Sequence, residues 1–136
     1  MLVIISDLHM TDGTSGSTIH PGAFQIFADR LCETSERASW RADGRYQPIE
    51  GVDLVLLGDV LDIIRSAKWL ETSTRPWDDP HSPEVTEAVT SIVDGILTHN
   101  EGALSVLRAL AGEGAISVPA GDSRGRPLYE SAAHNV

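Results

Sequence analysis

Two short motifs in this chain place carboxylate and imidazole groups where they could share a metal ion. The first is D-L-H at residues 7–9, and the second is G-D-V-L-D at residues 58–62. An Asp oxygen together with a His nitrogen suits ions such as Mn, Fe or Zn better than Ca or Mg. Each motif alone also has an ordinary structural explanation, because Asp7 could cap a turn, Asp59 could cap a helix, and Asp62 would then lie in that helix's first turn.

Both motifs directly follow an apolar segment. Residues Leu2 to Ser6 and Val52 to Leu57 are predicted strands, and their unbroken apolar character favours burial on both faces. In parallel sheets, ligands bind beyond the carboxyl ends of the strands. We therefore expect Asp7, His9 and Asp59 to converge at one sheet edge. Acidic groups gathered there repel one another unless a cation or a proton joins them.

The remaining elements alternate with these strands. A polar loop is predicted at 10–18, a helix at 21–38 with an i, i+3, i+4, i+7 apolar stripe, a helical stretch at 83–111 and a third strand at 115–118. Ser82 and Pro83 mark the start of the second helical stretch. The order strand, helix, strand, helix, strand predicts an α/β fold with a parallel βαβαβ unit.

Composition limits the classes of function. A chain of 136 residues is the length of one domain, which we assign to residues 1–136. Its net charge of −10 repels phosphate backbones, so nucleic acid is expected only as a substrate at a metal-bearing site. It has no apolar run of membrane-spanning length and no signal-peptide pattern. With the single cysteine Cys32, these features favour a cytoplasmic location.

The string VIISDLHM followed by LVLLGDVLDIIR resembles the calcineurin-like metallophosphoesterases, whose signature is D-x-H, then G-D-x-x-D, then G-N-H-[DE], each after a strand. The resemblance implies the N-terminal half of that family's α/β/β/α sandwich. It also implies a hydrolase (phosphatase) with a binuclear centre of two divalent ions of the Mn, Fe or Zn class. Its substrate would be a phosphomonoester, a phosphodiester or a pyrophosphate, attacked by a metal-bridging hydroxide.

The resemblance assigns roles to individual residues of this chain. Asp7 and His9 would bind the first metal, and Asp59 would bridge the two metals. Asp62 would orient the ligands, a role that carboxylates behind a metal site often have. Arg65 would lie near the phosphate of the substrate.

The third motif departs from the family pattern. Residues 121–123 are G-D-S where the family has G-N-H. Asp122 either replaces the Asn as a ligand of the second metal or is the motif's final carboxylate. Ser123 cannot replace an imidazole as proton donor at neutral pH. The family's two later His motifs are also missing from residues 1–136. We therefore expect a domain incomplete at its C-terminal side, with little activity alone until a further segment or an oligomeric partner supplies His ligands.

Two other interpretations remain open at this stage. The chain could be a catalytically incomplete module that binds a metal or another chain. It could also be a doubly wound domain that transfers phosphoryl groups through a covalent aspartate at a Mg site. His9 in place of a second Asp, and Lys68 as the sole lysine, count against the latter.

Overall fold

The computed structural model describes residues 1–16, 19–129 and 134–136, so residues 17 and 18 of the predicted loop lie outside the described part. The chain is α/β, with helices and short strands. In chain order, the elements are β1 Leu2–Ser6, α1 Pro21–Ala38, β2 Asp53–Leu57, a 3-10 helix Ala67–Leu70, α2 Pro83–His99, α3 Glu101–Leu110, β3 Ser117–Val118, β4 Ala120–Gly121, β5 Pro127–Leu128 and β6 His134–Asn135.

The described residues cluster into two compact units. The first contains Met1–Ile4, Gly22–Val55 and Ser105–Val136, and the second contains Ile5–Pro21 and Leu56–Leu104. No helix in the described part of the chain is both long and apolar enough to cross a lipid bilayer.

Strands β1 and β2 form a two-stranded parallel sheet. The prediction that both strands are buried on both faces is wrong, because Leu2, Ile4 and Leu57 are 61%, 55% and 58% exposed. The reason is the size of the sheet, since no third described strand pairs with β1 or β2. An apolar run predicts a strand but not what covers it.

Helix α1 has the predicted bounds, and its apolar stripe supplies Phe24 and Leu31 to the core of the first unit. Ser35 is buried on the same face, and its hydroxyl donates to the carbonyl of Leu31 at 2.8 Å, which satisfies its hydrogen-bonding group. Tyr46 is also buried, and its hydroxyl donates to the carbonyl of Pro119 at 2.9 Å. This bond joins two segments of the first unit that are distant in sequence.

The predicted helical stretch 83–111 is two helices. Ser82 caps α2 as expected, because its hydroxyl accepts a hydrogen bond from the amide of Val85. The break occurs at Asn100, which is 3% exposed. The side-chain amide of Asn100 donates to the carbonyls of Ile96 and Thr11, both at 2.8 Å. Asn100 thus ends α2 and attaches it to the loop after β1.

The third predicted strand does not extend the parallel sheet. Strand β3 instead pairs antiparallel with β6, with Ser117 opposite Asn135 and Val118 opposite His134. Strands β4 and β5 form a separate antiparallel pair. The α/β class is therefore confirmed, while the described residues contain no three-stranded parallel sheet. A sequence pattern shows local periodicity only, whereas β3 pairs with residues that follow the separate β4–β5 pair.

Candidate metal centre

Asp7, His9 and Asp59 meet in the second unit. One ligand atom from each lies within 4.8 Å of those from the other two. Both aspartates are exposed, and the His9 side chain is half-buried. The His9 Nε2 atom lies 4.0 Å from Asp7 Oδ1. The expected convergence of these three residues is therefore confirmed, while metal binding by them stays a prediction.

Backbone pairing continues past the ends of β1 and β2 and sets the spacing of these residues. The His9 amide donates to the Asp59 carbonyl at 2.8 Å, and the Met10 amide donates to the Val60 carbonyl at 2.9 Å. Asp62 then donates its amide to the Met10 carbonyl at 2.9 Å. Met10 is almost completely buried and anchors this pairing. The two ligand-bearing segments are held in parallel register by main-chain bonds.

The backbone is strained at all three candidate ligands. The φ angles are 57° at Asp7, 44° at His9 and 35° at Asp59, and these are the described non-glycine residues with positive φ. The left-handed region costs an ordinary residue roughly 1–2 kcal/mol, although Asp and His occur there more often than most. Such conformations persist only where the surrounding structure enforces them, and they cluster at functional sites.

Asp62 lies behind His9 and fixes its ring. The His9 Nδ1–H donates to Asp62 Oδ2 at 3.1 Å, and the Asp62 side chain is only 12% exposed. A carboxylate accepts but does not donate, so this bond leaves the lone pair of His9 on Nε2. A metal-binding histidine commonly has this arrangement, in which one ring nitrogen is held by a carboxylate and the other binds the ion.

Arg65 also contacts Asp62. Its Nε forms an ion pair with Asp62 Oδ2 at 3.0 Å, and its backbone amide donates to Asp62 Oδ1 at 3.2 Å. The Arg65 side chain is 60% exposed. The contact therefore holds a solvent-accessible cation beside the carboxylate that orients His9.

The helix-cap explanation of Asp59 is excluded. Residues 59–66 contain no helix, and the first helical residue after them is Ala67. The cap of that 3-10 helix is Ser66, whose hydroxyl accepts from the Lys68 amide. Asp59 therefore has no helix terminus to stabilise.

Asp122, the fourth predicted ligand, belongs to the first unit and has other partners. Its Oδ1 accepts from the amides of Arg124 and Arg126 at 2.9 and 2.8 Å, and its Oδ2 accepts from Nε of Arg126 at 2.9 Å. Nη2 of Arg126 forms an ion pair with the same oxygen at 2.9 Å. The backbone hydrogen bond from Arg126, followed by its side-chain bond, lowers the pKa of Asp122. Metal binding by Asp122 stays a prediction, and an ion at its Oδ2 would have to compete with the guanidinium of Arg126.

The donor set fits an ion of the Mn, Fe or Zn class. An ion with bonds of about 2.1 Å holds tetrahedral ligands about 3.4 Å apart, so atoms within 4.8 Å need only small side-chain rotations. Two neighbouring carboxylates repel each other, and a cation removes that repulsion. In the part of the chain that the structure describes, this is the one cluster of at least three His, Cys, Asp or Glu residues with such spacing.

A scan against protein-family models, a search of curated proteins and a search of solved structures each find no match for this chain. The resemblance to calcineurin-like metallophosphoesterases therefore depends on the two sequence motifs alone.

The sequence interpretation missed a polar network next to this centre. Asp12, Thr14 and Ser66 bond to one another between the loop after β1 and the loop after β2. One signal was present, because D-G-T at residues 12–14 is typical of a turn in which an Asp side chain accepts from the amide two residues later. The amide of Thr14 donates to Asp12 Oδ1 at 3.1 Å in this way. No sequence pattern indicated the partner Ser66.

Proposed function

We propose that this chain is a metal-dependent phosphoesterase that binds a divalent ion of the Mn, Fe or Zn class through Asp7, His9 and Asp59. One observation is the main support for this proposal. The three described non-glycine residues with positive φ are the same three residues whose ligand atoms lie within 4.8 Å of one another. Proximity and backbone strain are independent observations. A structure that enforces strain at three converging ligands is best explained by a site that uses them.

The surrounding residues support phosphoester chemistry. A bound divalent ion would act as a Lewis acid toward a phosphoryl oxygen and would lower the pKa of water. Asp62 keeps the His9 ring in the tautomer that presents Nε2. The exposed guanidinium of Arg65 offers charge-assisted hydrogen bonds to a phosphate group. In this proposal β1, α1 and β2 form the first βαβ unit of a metallophosphoesterase-like sandwich, and Asp59 would also help to hold a second ion.

A second candidate is a metal-binding module without hydrolytic activity. The contacts of Asp122 favour it, because Arg126 occupies the carboxylate that would reach a second ion. Ser123 also supplies no imidazole to protonate a leaving group. The two candidates share the first metal ion and differ in whether the bound ion supports hydrolysis.

Metal binding is tested by calorimetric titration of the chain with Mn²⁺ and Zn²⁺. Asp59→Asn should weaken binding by about tenfold or more, because an amide oxygen is a poorer ligand for these ions than a carboxylate. Asp53→Asn is the matched control, since Asp53 is an exposed carboxylate of the same strand region outside the cluster. Equal affinities for all three proteins would overturn the proposed site.

Hydrolysis separates the two candidates. The substrate is bis(4-nitrophenyl) phosphate with excess Mn²⁺, and the rates should be low because residues 1–136 lack the Asn and the later His motifs that would fix a second ion. Release of nitrophenolate that depends on Mn²⁺ and disappears in Asp59→Asn supports the phosphoesterase. Tight Mn²⁺ binding with no metal-dependent release favours the binding module.

A further inference from the structure

The two loops that carry the candidate ligands are joined at a second place, beyond their backbone pairing. Ser66 Oγ donates to Asp12 Oδ2 at 2.5 Å, and Thr14 Oγ1 donates to Asp12 Oδ1 at 2.6 Å. Thr14 Oγ1 also accepts from the amide of Ala67 at 2.9 Å. We call Asp12, Thr14 and Ser66 the interloop clamp. It bonds the loop after β1 to the start of the 3-10 helix after β2.

The residues of the interloop clamp supply hydrogen-bond partners for one another. The Ser66 side chain is almost fully buried, and besides donating to Asp12 it accepts from the amide of Lys68 at 3.2 Å. The hydroxyl of Ser15 adds a hydrogen bond to the carbonyl of Arg65. Each loop therefore contributes both donors and acceptors, and a relative shift of the loops would break several bonds together.

The central carboxylate of the clamp is held in its charged form. Burial alone raises the pKa of Asp12, but hydrogen bonds from Ser66 and Thr14 outweigh burial and lower it. The positive charge of Lys68 lowers the pKa of Asp12 by a smaller amount. The Lys68 ammonium group donates to the carbonyl and the hydroxyl of Ser91, which hold it in place. Hydrogen bonds to a charged acceptor are stronger than those between neutral groups.

Backbone pairing and the clamp join the two ligand loops to each other at two successive places along the chain. The pairing fixes His9 against Asp59 and Met10 against Val60. The clamp fixes the same two loops a few residues later, at Asp12 and Ser66. With two attachments, one loop cannot rotate relative to the other, as it could if the backbone pairing were the single attachment.

We propose that Asp12, Thr14 and Ser66 are positioning residues, which hold the loops so that His9 and Asp59 keep the spacing that one metal ion requires. This inference rests on the proposed metal site. None of the three is itself a ligand in the cluster. They act through the main chain, as supporting residues do when they keep a metal site within a few tenths of an ångström of its working geometry.

The test uses substitutions of one hydroxyl in the full chain. Thr14→Val removes the hydroxyl from the clamp with little change of shape, and Thr14→Ser retains it. Thr90→Val is the matched control, because Thr90 is an exposed residue of the same unit whose hydroxyl bonds only within α2, to the carbonyl of Thr86. The probe is Co²⁺, whose visible absorption reports coordination geometry and whose titration gives the affinity.

Thr14→Val should weaken Co²⁺ binding by about tenfold, the lower end of the range for residues that support metal ligands, and should alter the absorption spectrum. Thr14→Ser should restore both, and Thr90→Val should match the wild type. A wild-type affinity and spectrum in Thr14→Val would overturn the positioning role. Failure of Thr14→Ser to restore binding would also overturn it, because the hydroxyl would then not be the determining group.

Hydrogen exchange of the metal-free protein separates this inference from the metal site itself. Thr14→Val should speed exchange of the His9 and Met10 amides, which bond across the loops, and Thr90→Val should not. Faster exchange without any change in Co²⁺ affinity would mean that the clamp holds the loops but does not position ligands, which overturns the inference. If the wild type binds neither Co²⁺ nor Mn²⁺, the proposed metal site fails, and the positioning role fails with it.

Discussion

The backbone amide of His9 donates a hydrogen bond to the carbonyl oxygen of Asp59 at 2.8 Å. Two candidate metal ligands from distant segments are thus bonded directly through their main chains. Their separation is set by strand register as well as by side-chain packing. This explains how two exposed carboxylates and a half-buried imidazole remain close together without a buried pocket around them.

We expect Asp62→Asn to weaken Zn²⁺ binding by about 10- to 100-fold. An amide at this position can donate to His9 Nδ1, which would move the ring proton to Nε2 and block the ligand atom. NMR shifts of the His9 ring nitrogens should show the change of tautomer in the metal-free protein. Asp78→Asn is the control, because Asp78 accepts a backbone amide elsewhere in the same unit. An unchanged tautomer and affinity in Asp62→Asn would contradict this role.

Backbone strain at Asp7 predicts an unusual order of stability. With φ at 57°, Asp7→Gly should be more stable than Asp7→Ala by about 1 kcal/mol, because glycine enters the left-handed region without steric cost. At Asp53, which lies in extended β2, the order should reverse, since glycine weakens a strand. Urea unfolding of the four variants measures both differences. If Asp7→Ala were as stable as Asp7→Gly or more stable, Asp7 would not be strained.

Asn100→Ala should lower the free energy of unfolding by roughly 1–3 kcal/mol. The substitution removes a buried amide and leaves the carbonyls of Thr11 and Ile96 without its hydrogen bonds. Asn135, the other asparagine of the chain, is exposed, so Asn135→Ala provides the comparison. Chemical denaturation gives both values. Equal losses in the two variants would mean that the bonds of Asn100 add nothing to stability.

Asp122 should contribute to stability above acidic pH. Hydrogen bonds from Arg126 hold the pKa of this carboxyl below its ordinary value of 3.8 in the folded chain. The contribution is therefore complete well above pH 3.8 and is lost as pH falls below that value, through the lower folded pKa. Stability measured from pH 6 to pH 2.5 should fall less steeply in Asp122→Asn than in the wild type. Ser123→Ala, in the same turn, should keep the wild-type slope, and identical slopes for all three would contradict the prediction.

Local sequence patterns were sufficient to predict the helices whose apolar stripe or capping residues are distinct. The apolar stripe of α1 indicated its bounds, and the Ser-Pro-Glu sequence at residues 82–84 indicated the start of α2. The approach of Asp7, His9 and Asp59 followed from a general property of parallel strands, whose carboxyl ends meet at one edge. These predictions needed no knowledge of distant partners beyond the pairing of two apolar segments.

The features that sequence could not provide all depend on remote contacts. The break at Asn100 depends on the carbonyl of Thr11, and β3 depends on a partner beyond residue 133. The interloop clamp depends on Ser66, which resembles any other loop serine in the sequence. The exposure of β1 was not predicted for a related reason. An apolar run does not indicate how many strands will join the sheet and cover it.

The backbone pairing that continues past β1 and β2 determines which mutations leave the geometry of the candidate metal centre unchanged. Substitutions at residues 71–81, between the 3-10 helix and α2, leave the register untouched. One residue inserted between Ser6 and His9 would instead shift every main-chain bond from His9 to Asp62. The lengths of these loops are thus as constrained as the identities of the candidate ligands that they carry. Anyone transplanting the centre into another scaffold would have to move residues 5–16 and 56–70 together, as a paired cassette of fixed length.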